Sequence, residues 1–193
     1  MDGTEPGTDA AGAGMDAVGA GSDAVRPGMD AIGPGMDAAE FRRIMGHFAT
    51  GVAVVTTRDP DTGTPCGLTV SAFSSVSLEP LLVLVCVEKH ADSHECIRRA
   101  GYFAVNILPF HGESLSRRFA GAEPLEKFRG VAFREERTGA PILEDAMGWL
   151  DCRVHAVHPA GDHSIFVGEV LAGDARADTP LIFFRGEYGR FAS

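Results

Sequence analysis

From residue 52 onward the apolar residues stop recurring at helical intervals. They gather instead into short β-branched runs that follow one another with little room for helices between most of them. Residues 52–58 form such a run, broken by the turn-rich loop Asp59-Pro-Asp-Thr-Gly-Thr-Pro65; 66–71 and 81–87 come next. The pattern continues at 102–108, 149–157, 165–171, 181–184 and 188–191, with Gly, Pro and Asp as punctuation. A doubly wound parallel sheet needs a crossover helix for each strand and, for a dinucleotide, a Gly-x-Gly-x-x-Gly turn after the first strand. This chain offers neither. The economical solution is a mainly β fold: antiparallel strands closing into a barrel, which removes sheet edges, with two or three short helices covering the ends.

The expected helices are few. Asp37-Ala-Ala-Glu40 has capping-box form, and Phe41, Ile44, Met45 and Phe48 then fall at i, i+3, i+4 and i+7. This stripe predicts a helix that ends near Thr50-Gly51 and lies on something larger. Asp92 or Ser93 is placed to cap a second helix running through Arg99 and closed by Gly101, and a third is expected over 112–119.

Ahead of the folded domain, expected at 37–193, residues 1–36 are Gly, Ala, Asp, Met and Pro in the main, with Gly-Met-Asp-Ala at 14–17, 28–31 and 35–38. With no Phe, Tyr, Trp or Leu in this stretch, too little apolar surface is available to offset chain entropy, which predicts a disordered tail. The tail also carries most of the charge. Formal net charge is −10, and residues 1–40 hold eight acids against Arg26, so the remainder stands at −3. No basic stripe exists to neutralise a run of phosphates, which argues against nucleic-acid binding. No run of about 18 apolar residues and no signal-peptide pattern occurs, which argues against membrane spanning and secretion. Cys66, Cys86, Cys96 and Cys152 form no Cys-x-x-Cys pair and are read as reduced thiols of a cytoplasmic chain.

The motifs of hydrolytic and metal-dependent enzymes are missing: no Gly-x-Ser-x-Gly, no His-Glu-x-x-His and no Walker loop. His155 and His158 stand three apart in a strand and so face opposite ways, and His90 and His94 are separated by a turn boundary and are expected at the surface. The informative segment is Gly67-Leu-Thr-Val-Ser-Ala-Phe-Ser-Ser-Val-Ser-Leu-Glu-Pro80. Its small hydroxyl residues Thr69, Ser71, Ser75 and Ser77 alternate with apolar Leu68, Val70, Phe73 and Val76, so a strand and the bend after it present small side chains on which a flat polar ring can rest. A Ser/Thr-rich edge strand without a ligand has the same pattern.

That segment, with Leu82-Val-Leu-Val-Cys-Val-Glu-Lys89, Gly101-Tyr-Phe-Ala-Val-Asn-Ile-Leu108, Gly161-Asp-His163 and Pro180-Leu-Ile-Phe-Phe-Arg-Gly186, closely resembles the flavin reductase family. These are the short-chain, split-barrel reductases of two-component flavin monooxygenases. The resemblance spans about residues 38–191, in the family's order and spacing. It implies a homodimer of Greek-key, FMN-binding split barrels that use NADH, or NADPH, to reduce FMN or FAD for a partner monooxygenase. It also implies that flavin is held by Thr69, Val70, Ser71, Ala72, Ser74, Ser75, Val76 and Ser77, and that its phosphate is met by Cys86, Val87, Lys89 and Ser93. His163 and Tyr188 match positions on the nicotinamide side. The phosphate stretch departs from the family's Lys/Arg-x-Ser-x-Thr, reading Lys89-His-Ala-Asp-Ser93, and Leu81 replaces a second proline. No catalytic side chain is implied, because hydride transfer asks mainly for stacking of two rings. Two other readings fit the same residues: a split-barrel electron carrier or oxidase that retains its flavin, and a non-enzymatic dimerising or ligand-sensing barrel. No arginine cluster suggests a 2′-phosphate site, which favours NADH.

Overall fold

The computed structural model describes residues 35–121 and 123–191. The chain divides between Asp37 and Ala38, and the second unit is the folded domain. The disorder expected for the tail falls almost wholly outside the described residues. Among them no helix is long and apolar enough to cross a membrane.

The domain opens with α1 (Ala38–Met45) and β1 (Thr50–Gly51), followed by β2 (Ala53–Arg58), β3 (Pro65–Val70), β4 (Phe73–Leu78) and β5 (Leu81–Glu88). Next come α2 (Asp92–Ala100), β6 (Tyr102–Ile107), α3 (Glu113–Gly121) and α4 (Pro124–Lys127). The short strands β7 (Phe133–Arg134) and β8 (Ile142–Leu143) lead into the long hairpin of β9 (Gly148–Ala160) and β10 (His163–Ala175). The chain closes with β11 (Leu181–Phe184) and β12 (Glu187–Arg190). Among the described residues the main sheet is antiparallel and ordered β3-β2-β6-β9-β10-β5-β4.

That order decides the shape. β3 and β4 lie at opposite edges of the sheet, yet only Ser71 and Ala72 separate them in sequence. Consecutive Cα atoms are 3.8 Å apart, so the sheet has to roll until its two edges nearly meet. The edges do not pair along their length; the Cys86 amide donates to the Ala72 carbonyl at 3.0 Å, which carries the β4–β5 ladder back to the seam, the crossing between β3 and β4. The barrel expected from the sequence is therefore a split one, mainly β, and the split falls on the Ser/Thr-rich segment. The bend expected after β3 is a strand in its own right, β4, whose register on β5 slips between Ser75 and Ser77. Val76 is the extra residue of that bulge, and it and Leu78 face solvent.

β2 shows why the roll is stable. Its residues 53–57 are all buried, because it has core on both faces. Val55 packs with Val85, Phe103 and Phe166 in one cluster, while Val54 packs with Leu108, Phe119 and Leu181 in another. Close approach also fixes Gly168, beside a bulge in β10, where a Cβ would stand 2.5 Å from the Phe103 ring. Across the second core Asn106, wholly buried, donates to the Val54 carbonyl and the Thr56 hydroxyl and accepts from the Leu143 amide at 2.8 Å.

Several local expectations change. α1 stops at Met45 rather than near Thr50, because Thr50 and Gly51 pair with Phe183 and Ile182 of β11 instead. No α1 residue is buried: Phe41, Ile44 and Met45, with Phe48 beyond the helix, are 57%, 42%, 48% and 69% exposed. The apolar stripe is thus left largely uncovered by the described residues. Ala91, not Asp92 or Ser93, is the N-cap of α2, and Gly101 closes it in the left-handed region with φ 74°.

The cysteines are a further change. Cys66 on β3 and Cys96 on α2 form a disulfide, with Cα atoms 6.6 Å apart, against the reading of four reduced thiols. Thirty residues separate them, so only the packing of α2 against β3, reinforced by Arg99 pairing with Asp59 and Asp61, brings them together. Cys86 and Cys152 are free, and burial pushes both thiols up, Cys152 to about 12.

His94 of α2 is half-buried rather than at the surface, its Nε2 2.9 Å from the Ser164 hydroxyl and its ring against Phe166. Burial is the leading cause that holds its imidazole below the ordinary 6.5. Below that pH the unfolded chain binds the proton more readily than the folded one, so stability falls as pH drops. We expect Tm to decline between pH 7 and 5, and to decline less in His94→Gln; equal slopes for the two proteins would show that another group dominates.

Candidate functional site

Two clefts open on either side of the seam, and Val70, Ser71, Ala72 and Cys86 line both. The larger, about 890 Å³, is mostly apolar and is walled by α1, the segment after it and Phe183. Phe41, Met45 and Phe48 of the unpartnered stripe belong to this wall. The second, about 480 Å³, is more polar and runs between β3, the start of α2 and the end of α3. Glu88, His90, Asp92, Lys127 and His163 bring charge or ring nitrogens to it. Both volumes fall within the range of small-molecule sites.

The local folding explains the shared wall. Val70 ends β3 with its side chain in the core, which turns Ser71 and Ala72 outward, and both are exposed. Small side chains at this crossing leave the clefts continuous with the seam. Thr69 lines the second cleft, but its hydroxyl donates to the Ser116 carbonyl at 2.7 Å, so it ties β3 to α3. Ser74 lines the larger cleft and donates to the Ser75 carbonyl.

Not every residue implied by the resemblance reaches a cleft. Ser75, Val76 and Ser77 lie beyond the lining of either, on β4 around its bulge, and the Ser77 hydroxyl accepts from the Glu79 amide. Val87 is wholly buried in the core and Ser93 is 2% exposed, so their side chains face away from both spaces. Lys89 donates through Nζ to the Gly161 carbonyl at 2.6 Å and lines neither cleft. His163, the first residue of β10, does line the second cleft. Its Nδ1 lies 2.7 Å from the Asp162 carboxylate, which that contact holds below its ordinary value. Tyr188 lies in the second core cluster, its hydroxyl 2.8 Å from the Ser116 hydroxyl and the Arg117 guanidinium 4.8 Å from its ring centre. It lines neither cleft and meets their walls through α3 and through Phe183, whose ring centre lies 5.3 Å from its own.

Sequence reasoning missed Phe119 and Lys127, which line the second cleft from α3 and α4. α4 is four residues long and has no apolar periodicity to announce it; Pro124 at its first turn was the available signal.

The family model described as "Flavin reductase like domain" matches residues 45–192. The chain belongs to that family. A "Flavin reductase" of Pseudomonas putida is 41% identical over 154 residues, covering 79% of this chain and 89% of the relative. The "Flavin-dependent monooxygenase, reductase subunit HsaB" of Rhodococcus jostii (strain RHA1) is 40% identical over 149 residues, 77% of this chain and 75% of the relative. Among solved structures, the NADH:FAD oxidoreductase SgcE6 of Streptomyces globisporus C-1027, in complex with NAD and FAD fragments, superposes with a TM-score of 0.76 at 38% identity. That match covers 81% of this chain and 93% of the other. Family membership accords with the split barrel.

Proposed function

We propose that this chain reduces FMN or FAD with NADH, or NADPH, and releases the reduced flavin to a partner monooxygenase. The observation that carries the reading is the seam itself. Ser71 and Ala72 form one small-residue wall shared by two clefts, so a planar ring lying against it leaves a face open for a second ring. The residues fit a flavin. The wall holds no bulky side chain, hydroxyls stand at its edge, and there is apolar space beside it. A bound flavin would supply the redox chemistry, as the acceptor of the hydride that the nicotinamide coenzyme gives up.

What remains for the protein is positioning. Ser71, Ala72 and Ser74 carry the ring edge, Thr69 fixes β3 on α3, and Cys86 stays a neutral thiol because burial raises it. His163, oriented by Asp162, faces the second cleft, where the nicotinamide coenzyme approaches. In this reading the ribityl chain runs past the end of β5 toward residues 86–93, while Ser75, Val76 and Ser77 lie the other way along β4, beside Val83 and Leu82. Tyr188 supports this wall through Ser116 and α3. We assign the activity to the cytoplasm, where reduced nicotinamide coenzymes are regenerated.

A second copy of the chain covers the exposed Phe41, Met45 and Phe48 stripe in this reading, giving a homodimer. Exposed apolar area of this kind at a cleft mouth is what an interface buries. Light scattering is expected to return twice the chain mass. The activity test is direct: the purified full chain mixed with NADH and FMN or FAD under anaerobic conditions bleaches the flavin's visible absorbance. No turnover with either flavin and either coenzyme ends the enzyme reading. Flavin that stays with the protein through gel filtration redirects it to a carrier with bound flavin.

A further inference from the structure

We propose that Lys127 is the anion seat of the second cleft and holds a phosphate group of the bound coenzyme. The inference rests on the flavin reductase reading and adds a residue and a ligand group to it. Lys127 ends α4 and is 8% exposed, yet it lines the cleft. Its Nζ donates to the Gly67 carbonyl at 3.1 Å, and among the described residues it makes no ion pair. An ammonium carries three donors. A buried cation with one neutral acceptor is costly unless a counter-charge completes it. The cleft is the side from which that charge can come.

The cleft's other charges sharpen the choice. Glu88 and Asp92 are acids, and His90 and His163 are imidazoles, so Lys127 is the permanent cation among the lining residues. The lysine expected to meet phosphate, Lys89, lines neither cleft, and Ser93 is buried. A coenzyme phosphate entering this space therefore has Lys127 as its strongest partner.

The lysine is also held in place beforehand. Gly67, which accepts its hydrogen bond, is pressed by Phe119, so that a Cβ there would stand 2.8 Å from the ring. Phe119 in turn packs edge-on against Phe128, the residue after Lys127, at 4.9 Å between centroids. A preorganised donor binds an anion without first giving up side-chain freedom.

FMN, FAD and NADH all bring phosphate, so the test compares ligands that differ by that group. Lys127→Gln retains a donor for the Gly67 carbonyl and removes the charge; Lys127→Arg retains the charge. Dissociation constants for riboflavin, FMN and FAD are measured by fluorescence on the full chain, with KM for NADH alongside. A charge-assisted hydrogen bond is worth roughly tenfold or more in affinity. If the flavin's phosphate sits on Lys127, the Gln variant loses about that factor for FMN but not for riboflavin, and Arg restores most of it. If the nicotinamide coenzyme's pyrophosphate sits there, KM for NADH rises by the same factor while the FMN-to-riboflavin ratio holds.

A purely structural lysine weakens riboflavin and FMN alike, and that result overturns the proposal, as does a Gln variant that binds every ligand like the wild type. Should the Gln variant fail to fold, inorganic pyrophosphate must compete with FMN or NADH for the wild-type chain; absence of competition overturns the proposal equally. A wild-type chain that binds riboflavin with no preference for FMN and no response to pyrophosphate refutes Lys127 alone. Failure to bind any flavin refutes the underlying reading, and the proposal falls with it.

Discussion

Replacing Ser71 with tryptophan abolishes flavin reduction while leaving the fold intact. Ser71 is exposed, so an indole there overlaps no core side chain, and surface changes of this kind usually alter stability by no more than about 0.5 kcal/mol. Yet Ser71 lines both clefts, and a bulky ring at that point fills the seam where two coenzyme rings are proposed to stack. Misplacing reacting atoms by as little as about 1 Å costs roughly 100-fold, and an occupied seam displaces them further. We expect kcat/KM for flavin to fall by at least about 100-fold, with Tm nearly unchanged. Val157→Trp, on an exposed part of β9 away from both clefts, is the control and retains activity. A Ser71→Trp protein that turns over like the wild type places the chemistry elsewhere.

That Ser71 stands out in the fold was legible in the sequence for a local reason. Small hydroxyl residues alternating with Leu68, Val70 and Phe73 mark a strand with one open face, and the strand is there. Strand content, the absence of crossover helices, and Gly101 as the end of α2 were legible for the same reason: each depends on neighbours within a few residues.

What the sequence hid depends on contacts between distant segments. Cys66 and Cys96 carry no spacing motif, and their bond exists because α2 packs on β3. Phe41, Met45 and Phe48 announce a buried helix face by their period, and among the described residues that face is largely bare. Periodicity reports that a surface is to be covered; it does not say by which molecule. Lys89 and Ser93 were implied as phosphate contacts by position in a motif. Neither lines a cleft, Ser93 being buried, whereas Lys127, from a four-residue helix with no periodic signal, does.

Asn106 shows how a polar residue in an apolar run is read correctly only with the fold in hand. It interrupts Tyr-Phe-Ala-Val-Asn-Ile on β6, a strand with four wholly or nearly buried residues in a row, and is itself fully buried. Its amide nitrogen serves the Val54 carbonyl at 3.1 Å and the Thr56 hydroxyl at 3.0 Å, and its oxygen takes the Leu143 amide. Thr56 in turn donates to the Pro141 carbonyl. The side chain therefore links β2 and β6 to the segment carrying β8, across the cluster that also holds Phe119 of the second cleft.

Asn106→Leu preserves approximate volume and leaves the Leu143 amide without its acceptor and the Thr56 hydroxyl without a donor. The orphaned Leu143 amide costs about 1–3 kcal/mol and the donors lost to Thr56 and Val54 about 0.5–1.5 kcal/mol each, so we expect a loss of roughly 3–5 kcal/mol in all. For a domain of this size that corresponds to a Tm lower by roughly 6–20 °C. Urea unfolding should show the midpoint shifted with the slope retained, as befits a change in stability rather than in compactness. Thr56→Val is expected to lose less alone and to add little on top of Asn106→Leu, because the two share one network. Full additivity of the pair would mean that the network is not a unit. A leucine variant as stable as the wild type would mean that Asn106 is tolerated in this core without holding it together.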